Sequence, residues 1–491
     1  MDLTSATAKE SARPSAWLSS RMAADEKIRQ FETRNNLFEL TLDNWCIWPV
    51  LRFQLFSKLE SIQANKQIKS QPLKTTQKLR YALNDLVNLF RLPPSQYAVF
   101  VQPSNRSEKV GEKYKDIYFD DLLAATSSFI KIENLVNRHY LAHGKSAFLP
   151  SHLTNAGIQL GVAAVLRLPT PTPIPALART LSEMIIRDLG LNEFSLQRIA
   201  TSLANFYWSK RLYKRMLDRI KPDFFLLTTA YSNHAVVAAA KELQLPVVEF
   251  QHGLIDRFHN GYSYTQAALK FKRHLPLPDK IFLYGQYWVN ELIKRDFWGS
   301  DLVAVGSLRM DHYRQQASIR KGSDDYSLVI TTQNVDIQPL IDFILEYCRL
   351  AGGDNHYQII FKLHPGENDK SRYLSAFKHD PRVQIFLGNE GLSTYELLVG
   401  ADLHASIYST CHYEALALGV PTIILPFTNH QTVMHLVDSG VGFLVNTPKD
   451  LFDLVAKRDK IEIPKETGEY YFKSGALQNM LQALSGIARA G

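Results

Sequence analysis

A chain of 491 residues with 45% hydrophobic and 11% aromatic content carries ample material for folded cores and is too long for one of them. Two or more domains are expected and wholesale disorder is excluded. Cys46, Cys348 and Cys411 stand far apart, which excludes a disulfide framework and a thiolate metal cluster and points to a reducing compartment. The formal charge of +8 invites phosphorylated ligands or anionic lipid. Nucleic acid is set aside, because aromatic and basic residues are not interleaved in the way that reads bases.

The first twenty residues lack a cationic start followed by an apolar stretch, and no uninterrupted apolar run reaches about eighteen residues. A cytoplasmic protein is expected, at most peripheral to the inner face of a plasma membrane. Residues 1–95 read as a helical, basic extension without a convincing strand pattern, with KSQPLKTTQK as a linker. From Lys58 to Arg91 the chain carries Lys58, Lys66, Lys69, Lys74, Lys78, Arg80 and Arg91 against Glu60 and Asp85. Within it, LRYALNDLVNLFRLPP spaces Leu79, Leu83, Leu86, Leu89 and Phe90 roughly as a helix would. Such a helix either lies on an anionic membrane surface or packs on its own domain with a solvated basic edge, and the second arrangement is the commoner.

From QYAVFVQPSNR to about residue 290, strands and helices alternate, with a long helical stretch over residues 181–220. KPDFFLLTTAYSNHAVVAAAKELQLPVVEFQHG reads as strand 224–228, helix 232–242 and strand 247–250, a parallel βαβ unit. After a connector around residues 303–325 the strands SLVITT, QIIFKL, VQIFLG, LHASIY, TIILPF and GFLV follow. They alternate with the helices IQPLIDFILEYCRL, KSRYLSAFK, TYELLVGA, CHYEALALG and QTVMHLVDS. The expectation is an α/β chain with three parts: the extension 1–95, a Rossmann-like domain 96–310 and a second Rossmann-like domain 311–491 with terminal helices. The two doubly wound domains would be one architecture used twice, facing a cleft.

Open parallel sheets bind ligands beyond the carboxyl ends of their strands. His364 sits at such an end, with Pro365 fixing the turn and Lys362 adding a cation. In HASIYSTCHYEALALGVP, Ser409 and Thr410 precede a helix and offer hydroxyls and first-turn N–H groups to a phosphate, with Glu414 placed for a ribose. In EFQHGLIDRFHNGYSY, Gln251, His252, Asp256 and His259 crowd another strand end, and Gly253 allows close backbone approach. Across the cleft, His252 or Asp256 could serve as general base on an acceptor hydroxyl. Each feature has a structural counterpart: a polar strand cap, a helix N-cap or a satisfied loop.

EFQHG with its following His and Tyr, KLHP, and S-x-x-S-T-x-x-x-E-A-x-x-x-G-x-P resemble the bacterial GT-B glycosyltransferases of capsule and O-antigen synthesis. Within these, the His-Pro and Ser/Thr motifs are similar to those of Kdo transferases and sialyltransferases, which use CMP-activated acidic sugars. The resemblance covers roughly residues 95–450. It implies that His364, Ser409 and Thr410 contact the nucleotide phosphate and Glu414 its ribose. The implied donor is a nucleotide sugar, acting as co-substrate without cofactor or metal. The implied acceptor is a glycan or glycolipid of a surface polysaccharide or lipopolysaccharide. The chain departs from the sialyltransferase pattern in lacking a Asp/Glu-Asp/Glu-Gly triplet, of which Asp120 and Asp121 are a partial match. Two rivals stand beside this reading: a UDP-sugar 2-epimerase on the same scaffold, and a non-catalytic nucleotide- or glycan-binding partner of an assembly complex.

Overall fold

The structure, a computed structural model, describes residues 16–61, 74–92, 95–101, 107–126, 128–135, 147–317, 326–352, 357–367, 369–388 and 390–490. Residues 23–309 together with 473–490 make one compact N-terminal unit, and residues 310–472, grouped with residues 16–22, make a C-terminal unit.

The N-terminal unit begins with helix α1 (Ala16–Asn35), from residue 23 onward, and helix α2 (Trp48–Ser61). Between them lies an antiparallel ladder of Thr41–Leu42 on Trp45–Cys46. This ladder corrects the expectation that residues 1–95 hold no strand. Its strands are too short to show a period of two, and its turn depends on Asp43 and Asn44 at positive φ, a conformation these two residues tolerate. Helix α3 (Thr75–Arg91) follows.

The sheet comprises β1 (Tyr97–Val101), β2 (Phe129–Glu133), β3 (Leu153–Thr154), β4 (Phe224–Leu227), β5 (Val247–Phe250), β6 (Lys280–Leu283) and β7 (Leu302–Ala304). All pairs are parallel, in the order β7-β6-β5-β4-β1-β2-β3. YAVFV, FFLL and VVEF are nearly continuous apolar runs because both faces of the sheet are covered. One face packs beneath α4 (Ala156–Val165), α6 (Leu196–Ile220) and α7 (His234–Glu242), with Phe100, Phe225 and Val247 in its core. The stretch expected as one helix over 181–220 is two: α5 (Pro173–Leu189) ends at Gly190, left-handed with φ 67°, and Ser195 caps the start of α6.

In the C-terminal unit the sheet comprises β8 (Tyr326–Thr331), β9 (Tyr357–Lys362), β10 (Val383–Phe386), β11 (Leu403–Ser406), β12 (Thr422–Ile424) and β13 (Gly442–Leu444). These are again all parallel, in the order β10-β9-β8-β11-β12-β13. Helix α8 (Ile337–Ala351) presses Leu340, Ile341 and Ile344 onto Leu328, Ile330 and Phe361. Helix α9 (Cys411–Ala417) follows β11. QTVMHLVDS is a 3₁₀ turn, His430–Val433, plus a single turn, His435–Asp438, in place of one helix. Part of the expected connector 303–325 is ordered as the end of β7 and a helix, Leu308–Ala317.

Both sheets wind outward from their first strand in one direction and then in the other. The reversal falls between β1 and β4 in the first unit, and between β8 and β11 in the second. The last helix, α10 (Ala476–Ala490), returns to the N-terminal unit, where Ala476, Met480 and Leu484 close the second sheet face against Val99, Phe250 and Phe282.

Candidate functional site

The central strands β9, β8 and β11 are neighbours, and the loops at their carboxyl ends carry the first group of candidate residues. His364 is exposed. The Gly366 N–H donates to its Nδ1 at 3.0 Å, so the neutral ring carries its proton on Nε2 and acts there as a donor. The His364 backbone N–H donates to Thr332 Oγ1 at 2.9 Å. Pro365 lies against Gly388, where a Cβ would come within 2.6 Å of the proline Cα. Glycine at 388 therefore lets the loop after β10 close onto the His-Pro corner.

Lys362 is buried, and its ammonium donates to the carbonyls of Leu387 at 3.0 Å and Glu390 at 2.7 Å. Burial lowers its pKa, with Glu390 and Glu396 pulling the other way. Its charge is thus committed to the loop after β10 and is not exposed at the strand end.

Two residues that the sequence did not single out organise this corner. The buried Glu367 carboxylate accepts from the Thr332 hydroxyl, from the Asn334 N–H at 3.0 Å and from the Tyr373 hydroxyl at 3.1 Å. It ties the turn after β9 to the loop after β8. Gln333, on that loop, accepts the Tyr408 N–H at 3.1 Å, and the Ser406 hydroxyl donates to the Thr331 carbonyl at 2.7 Å. These bonds stitch the β8 loop to the segment holding Ser409 and Thr410. The signal for Glu367 was present as an acidic residue two after His-Pro, but its burial was not.

Ser409 and Thr410 are half-buried at the start of α9. Ser409 Oγ accepts the Cys411 N–H at 3.2 Å, whereas Thr410, at the N-cap position, makes no side-chain cap bond. Glu414 is half-buried and accepts from the Tyr395 hydroxyl at 3.1 Å. Beneath them runs a buried chain in which Thr331 Oγ1 meets His404 Nε2 at 2.9 Å. Thr422 Oγ1 then lies 2.7 Å from both His404 Nδ1 and His412 Nδ1. Burial keeps both imidazoles neutral, pushing His404 well below its ordinary value and His412 down to about 3.

The second group lies on residues 251–264 of the N-terminal unit, after β5. The buried Gln251 amide bridges strand ends, donating to the Gly253 carbonyl at 2.9 Å and accepting the Tyr284 N–H at 2.8 Å. A Cβ at Gly253 would meet nothing within 4 Å, so packing there does not itself demand glycine. His252 Nε2 lies 3.1 Å from the Tyr231 hydroxyl. Asp256 accepts the Phe258 N–H at 2.8 Å and so closes its own turn. His259 Nδ1 accepts the Gly261 N–H at 3.2 Å, and its ring stacks on Phe53. Asp120, in the partial acidic motif, is buried in an ion pair with Lys131 at 2.6 Å.

This loop is held from below. The buried Glu249 of β5 accepts from the Tyr262 hydroxyl and from the Ala230 N–H at 3.1 Å. Burial raises its pKa to about 7, against the pull of those two bonds. From α2, the buried Arg52 pairs with Glu32 and donates to the Asn260 carbonyl and, at 2.7 Å, to that of Ser263. Its guanidinium stacks 4.4 Å from the centre of the Tyr264 ring. Asp25 of α1 accepts from the Ser263 hydroxyl at 3.0 Å and pairs with Arg295. A glutamate inside VVEF and an arginine inside WCIWPVLRF were the available signals for these residues. Among the described residues no cluster of three or more His, Cys, Asp or Glu is arranged to hold a metal.

No protein-family model matches the chain. It is 23% identical over 299 residues to the UDP-N-acetylglucosamine--N-acetylmuramyl-(pentapeptide) pyrophosphoryl-undecaprenol N-acetylglucosamine transferase of Leuconostoc mesenteroides, covering 56% of this chain and 74% of the relative. Among solved structures it is similar to UDP-GlcNAc 2-epimerase from Neisseria meningitidis bound to UDP-GlcNAc. That match has a TM-score of 0.51 at 16% identity and covers 79% of this chain and 99% of the other. A second UDP-N-acetylglucosamine 2-epimerase matches with a TM-score of 0.50 at 15% identity, covering 82% and 97%. The chain has the twin Rossmann-like fold of GT-B proteins.

Proposed function

We propose that the protein is a glycosyltransferase that moves a sugar from a nucleotide-sugar donor to a hydroxyl of a glycan or glycolipid acceptor. The acceptor would be part of a bacterial surface polysaccharide such as capsule or O-antigen. The observation that carries this reading is the group at the winding reversal of the C-terminal sheet: the His364 Nε2–H and the hydroxyls of Ser409 and Thr410, on loops cross-linked through Thr332, Gln333 and Glu367. Donors held in this way stabilise the charge that develops on a departing nucleotide phosphate. Glu414 takes the ribose hydroxyls, and Lys362 acts through the loop it pins. His252, oriented by Tyr231, is the first choice for the base and Asp256 the second; Gln251 and His259 shape the acceptor side. The relatives are named for UDP-linked sugars, so a UDP sugar is the preferred donor, and a CMP-activated acidic sugar draws no support from them.

A UDP-sugar 2-epimerase is the second reading, favoured by the two structural matches. The test begins with thermal shift in UDP, CMP, GDP and CDP without metal, since a ligand stabilises the native state in proportion to the logarithm of its concentration over Kd. Stabilisation by UDP is expected; stabilisation by CMP alone would restore the CMP-sugar donor. Incubation with UDP-GlcNAc alone then separates the two enzymes, because only the epimerase converts the sugar without an acceptor. No stabilisation by any nucleotide would overturn both readings.

A further inference from the structure

Helix α3 leaves its longest apolar stripe facing outward. Its inward side is mixed: Leu89 packs on the sheet core, the buried Asp85 carboxylate accepts from the Thr154 N–H at 2.9 Å and the Thr154 hydroxyl, and Asn88 donates to the His152 carbonyl at 2.9 Å. Tyr81 and Ala82 complete the contact, against Leu135 and Ala156. Its outward side is apolar. Leu79, Leu83, Leu86, Val87 and Phe90 are 51%, 64%, 55%, 47% and 72% exposed, and their spacing of three, four and one places them on one face. Ordinary amphipathic packing puts such a stripe inward, so the exposed stripe calls for a partner.

Charge narrows the partner. Lys74, Arg80 and Arg91 are exposed on or beside this helix, and Arg80 and Arg91 fall at one border of the stripe. Arg219 reaches to 5.6 Å above the Phe90 ring. The one acidic residue of α3, Asp85, is turned inward and hydrogen-bonded. The outward face is thus apolar with a cationic edge and no anion of its own. A second copy docking stripe to stripe would bring these cations onto one another. An anionic lipid surface takes the apolar side chains below its headgroups and pairs the cations with its phosphates.

We propose that α3 docks the protein on an anionic bilayer, the helix lying in the interface with Leu83 and Phe90 deepest. This goes beyond the catalytic reading and does not rest on it. The test is co-sedimentation of the full chain with vesicles of phosphatidylcholine alone and of phosphatidylcholine with phosphatidylglycerol. Partition onto the anionic vesicles is expected, with much less onto the neutral ones. Two double variants separate the terms: Leu83→Ser with Phe90→Ser removes the apolar contact, and Arg80→Gln with Arg91→Gln removes the charge. All four positions are exposed, so both variants should keep the parent Tm. Each should partition at least about tenfold more weakly, since a cation at such a surface contributes about 1 kcal/mol. A Trp at position 86 (Leu86→Trp) should shift its emission to the blue on anionic vesicles. Equal partition onto both vesicle types, no partition at all, or unchanged partition of either variant would overturn the proposal. So would concentration-dependent self-association that Leu83→Ser with Phe90→Ser abolishes, which would assign the stripe to a second copy.

Discussion

His364 illustrates what a fixed tautomer contributes. With Nδ1 occupied by the Gly366 N–H, the ring offers a donor from Nε2 without having to be protonated. A hydrogen bond to a charged group contributes about 1.5–3 kcal/mol, so His364→Ala should weaken nucleotide binding about 10- to 100-fold by titration calorimetry. The parent Tm should be kept, because the side chain is exposed; unchanged affinity would remove His364 from the donor site. The position of this residue was legible because Pro365 marks the end of β9 in the sequence itself. The destination of Lys362 was not. Its neighbours in QIIFKL give the strand, but the carbonyls that take its ammonium belong to Leu387 and Glu390, on a loop whose approach depends on Gly388. Such long-range closure leaves no mark in local pattern.

At the level of elements, the loop after β5 is fixed by residues distant from it in the chain: Asp25 and Arg52 from the first two helices and Glu249 from the strand beneath. The folded carboxyl of Glu249 has its pKa raised to about 7, above the unfolded value, so its contribution is fully present at low pH and is lost as pH rises through 7. Glu249→Gln keeps an acceptor for Tyr262 and removes the ionisation. The stability of the variant relative to the parent should therefore climb between about pH 4.5 and pH 7, at roughly 1.4 kcal/mol per pH unit at most, and level off above pH 7; a flat difference from pH 4.5 to pH 7 would exclude ionisation of Glu249 in this range. Strands β4, β5 and β8 were legible because both-sided burial makes each a nearly continuous apolar run. The Thr41–Cys46 ladder and the break at Gly190 were not, because each rests on one or two backbone conformations.

The two units of the molecule answer acid differently. Buried His404 and His412 of the C-terminal unit have folded pKa values below the unfolded one. Their neutral form supports the fold above about pH 6.5, and that support is lost progressively below it. In the N-terminal unit burial also lowers His152 and His234, but it raises Glu249 to about 7 and Asp85 and Asp116 to about 6, and these carboxyls gain on the unfolded state as pH falls toward 5. Hydrogen exchange at pH 7.5 and pH 5 should show residues 326–352 and 403–424 losing protection first. Equal loss in both units would contradict this. The return of α10 gives a further outcome. Ending the chain after Phe472 strips Met480 and Leu484 from the N-terminal core, at about 1.5–3 kcal/mol for each side chain, against a domain stability of about 5–15 kcal/mol. Limited proteolysis of that variant should cut within residues 23–309 while 326–472 resists. The same threading bears on synthesis. A ribosome makes most of the N-terminal unit first, yet one face of its sheet, covered in part by Phe119, Leu122 and Leu123, stays incomplete until the whole C-terminal unit and then α10 have emerged. The unit begun first is completed second, and the nascent chain needs shielding from aggregation over that interval.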